Sequence, residues 1–158
     1  MRAICLTKYG SIENFASVDL PTREPKRGQI RVRVHASAVG PADFKVTTGQ
    51  FNFLHGRKFP MILGYDFSGV VDAVGYGQTR WKIGDPVFGF LPYGPGNNQG
   101  AFAEFLVTPD NQVARKPASV SHDAGAFLMM DMVFPPLRFN FRNFSCPAEK
   151  IGGTGHGA

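Results

Sequence analysis

The sequence predicts a mainly β fold in which short antiparallel strands form a barrel or sandwich accompanied by short helices. Three observations carry this reading. Nineteen glycines and twelve prolines make up about a fifth of the 158 residues, too many helix breakers for a bundle. Ile30, Val32, Val34 and Ala36 alternate with Arg31, Arg33, His35 and Ser37, the period-two pattern of a strand with one buried face. Turn signals separate several further short apolar runs. Hydrophobic residues are 43% and charged residues 18% of the chain, a balance that supports a packed core without disulfide staples.

The elements follow in order. RAICLT at 2–7 and FASVDL at 15–20 flank the turn Tyr9-Gly10-Ser11 and predict a hairpin. A polar connection, PTREPKRG, leads to the alternating strand that opens at Ile30. Pro41 fits the first position of a short helix, PADFKVTTG, closed by Gly49. Residues 51–60 read as an irregular aromatic loop, and DFSGVVDAVG at 66–75 as a strand with close backbone approach at its glycines. Gly84-Asp85-Pro86 is a turn, with Asp85 placed to accept nearby backbone N–H groups. The stretches 87–90, AFAEFLV at 101–107 and 112–115 predict three further strands. The core is expected from Ile30, Val32, Val34, Val70, Val71, Val87 and Phe105. Ser121 caps a helix, SHDAGAFLMM, with Asp123 in its first turn, and Pro135-Pro136 prevents its continuation. The glycine-rich end of the chain is expected to be disordered.

Charge and composition exclude several classes. The net charge of +5 comes from the first sixty residues, where ten Lys and Arg face four Asp and Glu. These cations are scattered and accompany no docking motif, so they read as a solvated face or a mild attraction for an anionic cofactor rather than a nucleic-acid footprint. The run RFNFRNF at 138–144 reads as unpacked sequence, not a base-stacking platform. No run approaches the ~20 apolar residues of a membrane span, and the N-terminus does not read as a signal peptide. Cys5 and Cys146 form no disulfide framework, which points to free thiols and a cytoplasmic protein.

Five stretches resemble the medium-chain dehydrogenase/reductase family, in its zinc-free branch of quinone-oxidoreductase-like and enoyl-reductase-like proteins. They are ASAVGPADFKVTTG at 36–49, FPMILGYDFSGVVDAVG at 59–75, KIGDPVFGF at 82–90, GAFAEFLVTPDNQVARKP at 100–117 and SVSHDAGA at 119–126. They stand in the family's order and spacing and cover nearly all of residues 1–126. The resemblance implies a partly open GroES-like barrel over 1–122, on the substrate side of the enzyme. Residues 123–158 would be a truncated linker and the start of a cofactor domain, with the family's Rossmann domain itself lacking. The activity implied is reduction of a quinone or a conjugated C=C or C=O with NADPH. A chain ending here is expected to bind no cofactor tightly, and a homo-oligomer is within what the family allows. A truncated, non-enzymatic β-barrel product or interaction module is the alternative.

The same resemblance nominates site residues. Zinc-using relatives carry a Cys where Gly40 stands and a His where Tyr65 stands; with no C-x-x-C and no paired histidines in the sequence, no metal is expected. Zinc-free members often carry Asn at the place of Gly40, so a hydrogen-bonding group is missing here. Gly40 and Tyr65 are expected in the substrate pocket, Tyr65 reading equally well as a core residue. Lys45, in P-A-D-F-K, stands where enoyl-reductase-like relatives hold a lysine near the nicotinamide, and is the catalytic candidate; a solvated lysine is the alternative. Asp43 reads as a brace for its helix. His35, His55, His122 and His156 read as surface or loop residues. Gly153 and Gly155, in GTGHGA, fit a G-x-G-x-x-A phosphate loop and read as a remnant of a cofactor site.

Overall fold

The computed structural model describes residues 1–55, 58–92 and 100–131. The fold is mainly β, with two open sheets and short helices, as the sequence predicts. Strand β1 (Arg2–Leu6) pairs antiparallel with β2 (Phe15–Asp19), and a 3-10 turn at Ile12–Asn14 links them. Strand β3 (Gln29–Ala38) leads to helix α1 (Pro41–Thr47) and the one-turn helix α2 (Asn52–His55). Then come β4 (Met61–Ile62), β5 (Asp66–Val74), β6 (Pro86–Phe90), β7 (Phe105–Pro109), β8 (Val113–Arg115) and helix α3 (His122–Asp131). The small sheet has the order β2-β1-β4 and the large one β7-β3-β5-β6-β8.

The segment between Ala101 and Glu104 stitches the two sheets. Ala103 bridges Ala3, Ile4 N–H donates to Phe102 O at 2.7 Å, and Glu104 N–H donates to Arg2 O at 3.1 Å. Here the expected strand 101–107 is corrected: the strand opens only at Phe105, because the preceding residues spend their backbone groups on β1 and on Leu63 and Gly64. The aromatic loop 51–60 is likewise corrected to contain α2.

The larger core cluster draws on both sheets, and a smaller one gathers Ala3, Cys5 and Ile62. Ile30, Val32, Val71 and Val87 are buried in the larger cluster, together with Leu6, Met61, Leu63, Phe67, Trp81 and Val113. Val34 packs at its margin, whereas Val70 and Phe105 are half-buried, and the Arg31 guanidinium covers the Phe105 ring. Aliphatic burial of this kind contributes about 1.5–3 kcal/mol per large side chain.

The β3–β5 pairing slips twice. Val34 faces Gly69 and Ala36 faces Ser68, leaving His35 as the extra residue of a bulge; Arg31 faces Ala73 and Val32 faces Val71, leaving Asp72 as another. Bulges turn side chains out of the regular pleat. Asp72 accepts from Arg31 Nε at 2.6 Å. Opposite the first bulge, a Cβ on Gly69 would run into the carbonyl oxygen of Arg33, so only glycine fits there. Helix α3 lies across β3, β5 and β6. Ser121 Oγ caps it by accepting from Ala124 N–H at 3.1 Å.

Candidate functional site

Helix α1 begins where β3 runs out. Gly40 is its half-buried N-cap in extended backbone, Pro41 occupies the first turn, and Gly49 follows the end at φ +84°. That left-handed conformation costs glycine little. Ala42, Asp43, Val46 and Thr47 form the buried face.

Asp43 ties this helix to the segment between β4 and β5. Its carboxylate accepts from Gly40 N–H at 2.8 Å and from Gly64 N–H at 2.9 Å, and the residue is 3% exposed. Burial raises its pKa, and the two backbone donors oppose that shift. The brace expected from the sequence is thus a bridge between two chain segments. It brings Gly40 close to Gly64, the neighbour of Tyr65.

Tyr65 is buried in the core cluster, its ring 6.3 Å from that of Phe90. Next to it, Asp66 is buried with Oδ1 lacking any hydrogen-bond partner. Desolvation, and then the charge of Asp43, push the Asp66 carboxyl up to about 7. The sequence signal for this residue was available: an acid within the otherwise apolar run YDFSGVV.

Lys45 lies apart from these groups. Two positions beyond Asp43 on a helix is about 200° of rotation, so Lys45 is exposed on the outward face. Its Nζ stands 5.6 Å from the centroid of the Phe51 ring, and Phe51 meets Phe53 edge-on at 6.1 Å. Sequence reasoning passed over Phe51, which sits in the aromatic stretch after Gly49. On the other flank of α1 a groove of about 800 Å³ is lined by Ile4, Ile12, Phe15, Val39, Phe44 and Phe102.

The histidines need one correction. His122 is not a free surface side chain: its Nδ1 lies 2.8 Å from Ser68 Oγ, and its ring stacks on His35 with centroids 4.5 Å apart. Among the described residues no three His, Cys, Asp or Glu side chains gather to hold a metal. No described helix is long and apolar enough to cross a membrane. A dinucleotide needs a glycine-rich turn at a helix start for its pyrophosphate. No G-x-G-x-x-G spacing occurs among the described residues, and Gly153 and Gly155 lie outside them. At α1 the described chain thus presents an exposed Lys45 ammonium beside Phe51 and, at the helix start, Gly40 without a side chain.

Relatives agree with this architecture. The chain is 33% identical over 129 residues to the chloroplastic quinone-oxidoreductase homolog of Spinacia oleracea, covering 81% of this chain and 38% of that protein. It is 33% identical to the trans-enoyl reductase grgB of a Penicillium species, covering 98% and 42%. A solved mycobacterial structure complexed with NADPH superposes with a TM-score of 0.68 at 29% identity, covering 80% of this chain and 37% of that one. The chain thus spans less than half the length of these relatives. Residues 26–118 match the model of the alcohol dehydrogenase GroES-like domain, and with that match, two open sheets and the glycine-dependent β3–β5 crossing, the chain belongs to the alcohol dehydrogenase GroES-like domain family.

Proposed function

We propose that this protein is the substrate-side part of a zinc-independent oxidoreductase that reduces a quinone or a conjugated carbonyl with NADPH. The observation that carries the reading is Lys45: an exposed ammonium on the outward face of α1, beside Phe51, with no ion pair among the described residues. The names of the spinach and Penicillium relatives and the NADPH in the mycobacterial structure support the substrate classes and the cofactor. In this reading residues 1–122 form the substrate-side unit and 123–158 lead toward cofactor-binding sequence.

The hydride chemistry belongs to the nicotinamide. During reduction, negative charge on the substrate's carbonyl oxygen would be stabilised by the Lys45 ammonium. The same ammonium delivers a proton through an intervening water. Asp43 holds the start of α1 in place through Gly40 and Gly64. In this reading Gly40 leaves room at the start of α1 because it has no side chain, and Tyr65 backs the neighbouring segment from the core.

The test is a chimera joining this chain to the cofactor domain of a matched relative. Lys45→Ala is expected to lower kcat about a hundredfold while leaving the KM for NADPH within a few-fold. Turnover like that of the parent chimera would make Lys45 a solvated side chain. An inactive but folded parent chimera would favour the second reading, an interaction module, whose supporting observation is the apolar groove beside α1.

A further inference from the structure

We propose that His35 and His122 form a pH-sensitive clasp that holds α3 on the five-stranded sheet and loosens it in mild acid. The geometry of the helix–sheet contact carries this. The bulge in β3 makes His35 the unpaired residue, and its ring stacks on that of His122, the first residue of α3, at 4.5 Å and 23°. His122 Nδ1 reaches Ser68 Oγ at 2.8 Å, and Ser68 is fully buried under the helix. Gly125 of α3 lies over the same serine, where a Cβ would come within 3.0 Å of its hydroxyl. Three residues from three elements therefore meet where α3 begins.

The protonation state follows from hydrogen-bond accounting. Ser68 has one hydroxyl proton, and Val87 O accepts it at 3.1 Å. Ser68 Oγ then accepts from His122 Nδ1–H, and Nε2 is the nitrogen left to take up a proton. Protonation keeps the bond to Ser68 but places a charge against its surroundings. The positive end of the α3 dipole opposes it, and so does a protonated His35. Lys116, before α3, adds its ammonium, which is held by Val120 O and by Pro117 O. Arg33 on β3, two residues before His35, is exposed and basic. On the other side, Asp123 of α3 favours the charged form. Of the acids on β5, Asp66 takes up its own proton as pH falls, and Asp72 is engaged by Arg31. Strand β6 contributes no titratable side chain. Burial first, then His35 and Lys116, set the His122 imidazole below its ordinary value. A base with a lowered native pKa contributes stability that is complete above its unfolded pKa and lost as pH falls below it. The clasp therefore holds at neutral pH and weakens below about 6.5. Stacked imidazoles aim their lone pairs side by side rather than at one point, so the pair acts through charge and not as a chelate.

The test is amide hydrogen exchange on the full chain at about pH 7.5 and about pH 5, either side of the ordinary imidazole value and corrected for intrinsic exchange. Protection in α3 is expected to fall tenfold or more in acid, while amides of β3 and β5 keep theirs. In His122→Asn the side-chain amide can still meet Ser68 but cannot titrate, and the acid response of α3 is expected to vanish. The wild-type protein gives a second readout by NMR: His122 is expected to titrate below the ordinary imidazole value. Unchanged α3 protection in acid, a response that persists in His122→Asn, or a His122 titration at or above the ordinary value would each overturn the proposal. Should the variant fail to fold, the wild-type exchange and titration decide.

Discussion

A carboxylate inside an apolar strand run costs free energy unless donors meet it, and Asp66 lacks one at Oδ1. The native state resolves this by keeping a proton, so its pKa rises from 3.8 to about 7. The unfolded chain gives that proton up near pH 4, whereas the folded chain keeps it until near neutrality. The native state therefore binds more protons across that window, and stability falls as pH rises through it. A shift of this size corresponds to roughly 4 kcal/mol as an upper limit. Asp66→Asn, which imitates the protonated acid, is expected to remove this fall. Urea unfolding midpoints of both proteins between pH 4.5 and pH 7.5 check it; parallel curves would return Asp66 to an ordinary carboxylate. Asp43 differs because backbone donors occupy both its oxygens. The sequence could flag Asp43 through its place near a helix start, but not its bond to Gly64, which depends on how a distant segment returns. Lys45 and Gly40 stood out only through resemblance, since an exposed lysine and a loop glycine carry no signal of their own.

Among the elements, β3 shows what patterning can and cannot convey. The alternation from Ile30 to Val34 is real, with Ile30 and Val32 fully buried. It ends at His35, where the bulge inserts an extra residue. Period two in a sequence cannot register such a slip, because the slip is set by the partner strand. Gly69 is the partner's half of that device. Gly69→Ala would press a methyl group into the Arg33 carbonyl, and the strands must part or the bulge must move. The expected cost is about 1–3 kcal/mol, read as a lowered thermal midpoint; an unchanged midpoint would show that β5 can yield. The helix at Asn52–His55 escaped the sequence reading because one turn leaves too few residues for a helical period. The strand at 101–107 was placed early because apolar residues there face two sheets in succession. The turn at Asp85 was legible in its local part, the carboxylate accepting from Lys82 N–H at 3.0 Å, whereas its bonds from the Arg115 guanidinium depend on a segment thirty residues away.

At the scale of the molecule, one flank of α1 carries an apolar patch. Ile4, Ile12, Val39 and Phe44 are 46%, 79%, 72% and 65% exposed around a single groove. Surfaces of this kind mark places where something binds. The isolated chain is expected to self-associate through it. Phe44→Glu combined with Val39→Lys should shift sedimentation velocity profiles toward monomer; an unchanged profile would place any association elsewhere. Cofactor affinity belongs to this scale too. Under the proposed function the described residues would meet only the nicotinamide end, and lost translational and rotational freedom costs an estimated ~4–15 kcal/mol. Calorimetric titration of the chain with NADPH is therefore expected to give a dissociation constant in the millimolar range or weaker. Micromolar binding would reveal anchoring groups beyond those described.

The seam between the sheets has a consequence for synthesis. The first strand receives a hydrogen bond from Glu104 and gives one to Phe102, partners made about a hundred residues after it. At about 5–20 residues per second, a ribosome needs roughly 5–20 s to deliver them. The β1–β2 hairpin can form within microseconds, but two strands alone are marginal in water. Strand β4 can claim Cys5 and Leu6 once residue 62 is out, but until residue 104 clears the exit tunnel the Arg2–Ile4 stretch of β1 lacks its partners. Those seconds are the interval in which a chaperone, or a neighbouring nascent chain, competes for the edge that Phe102 later covers.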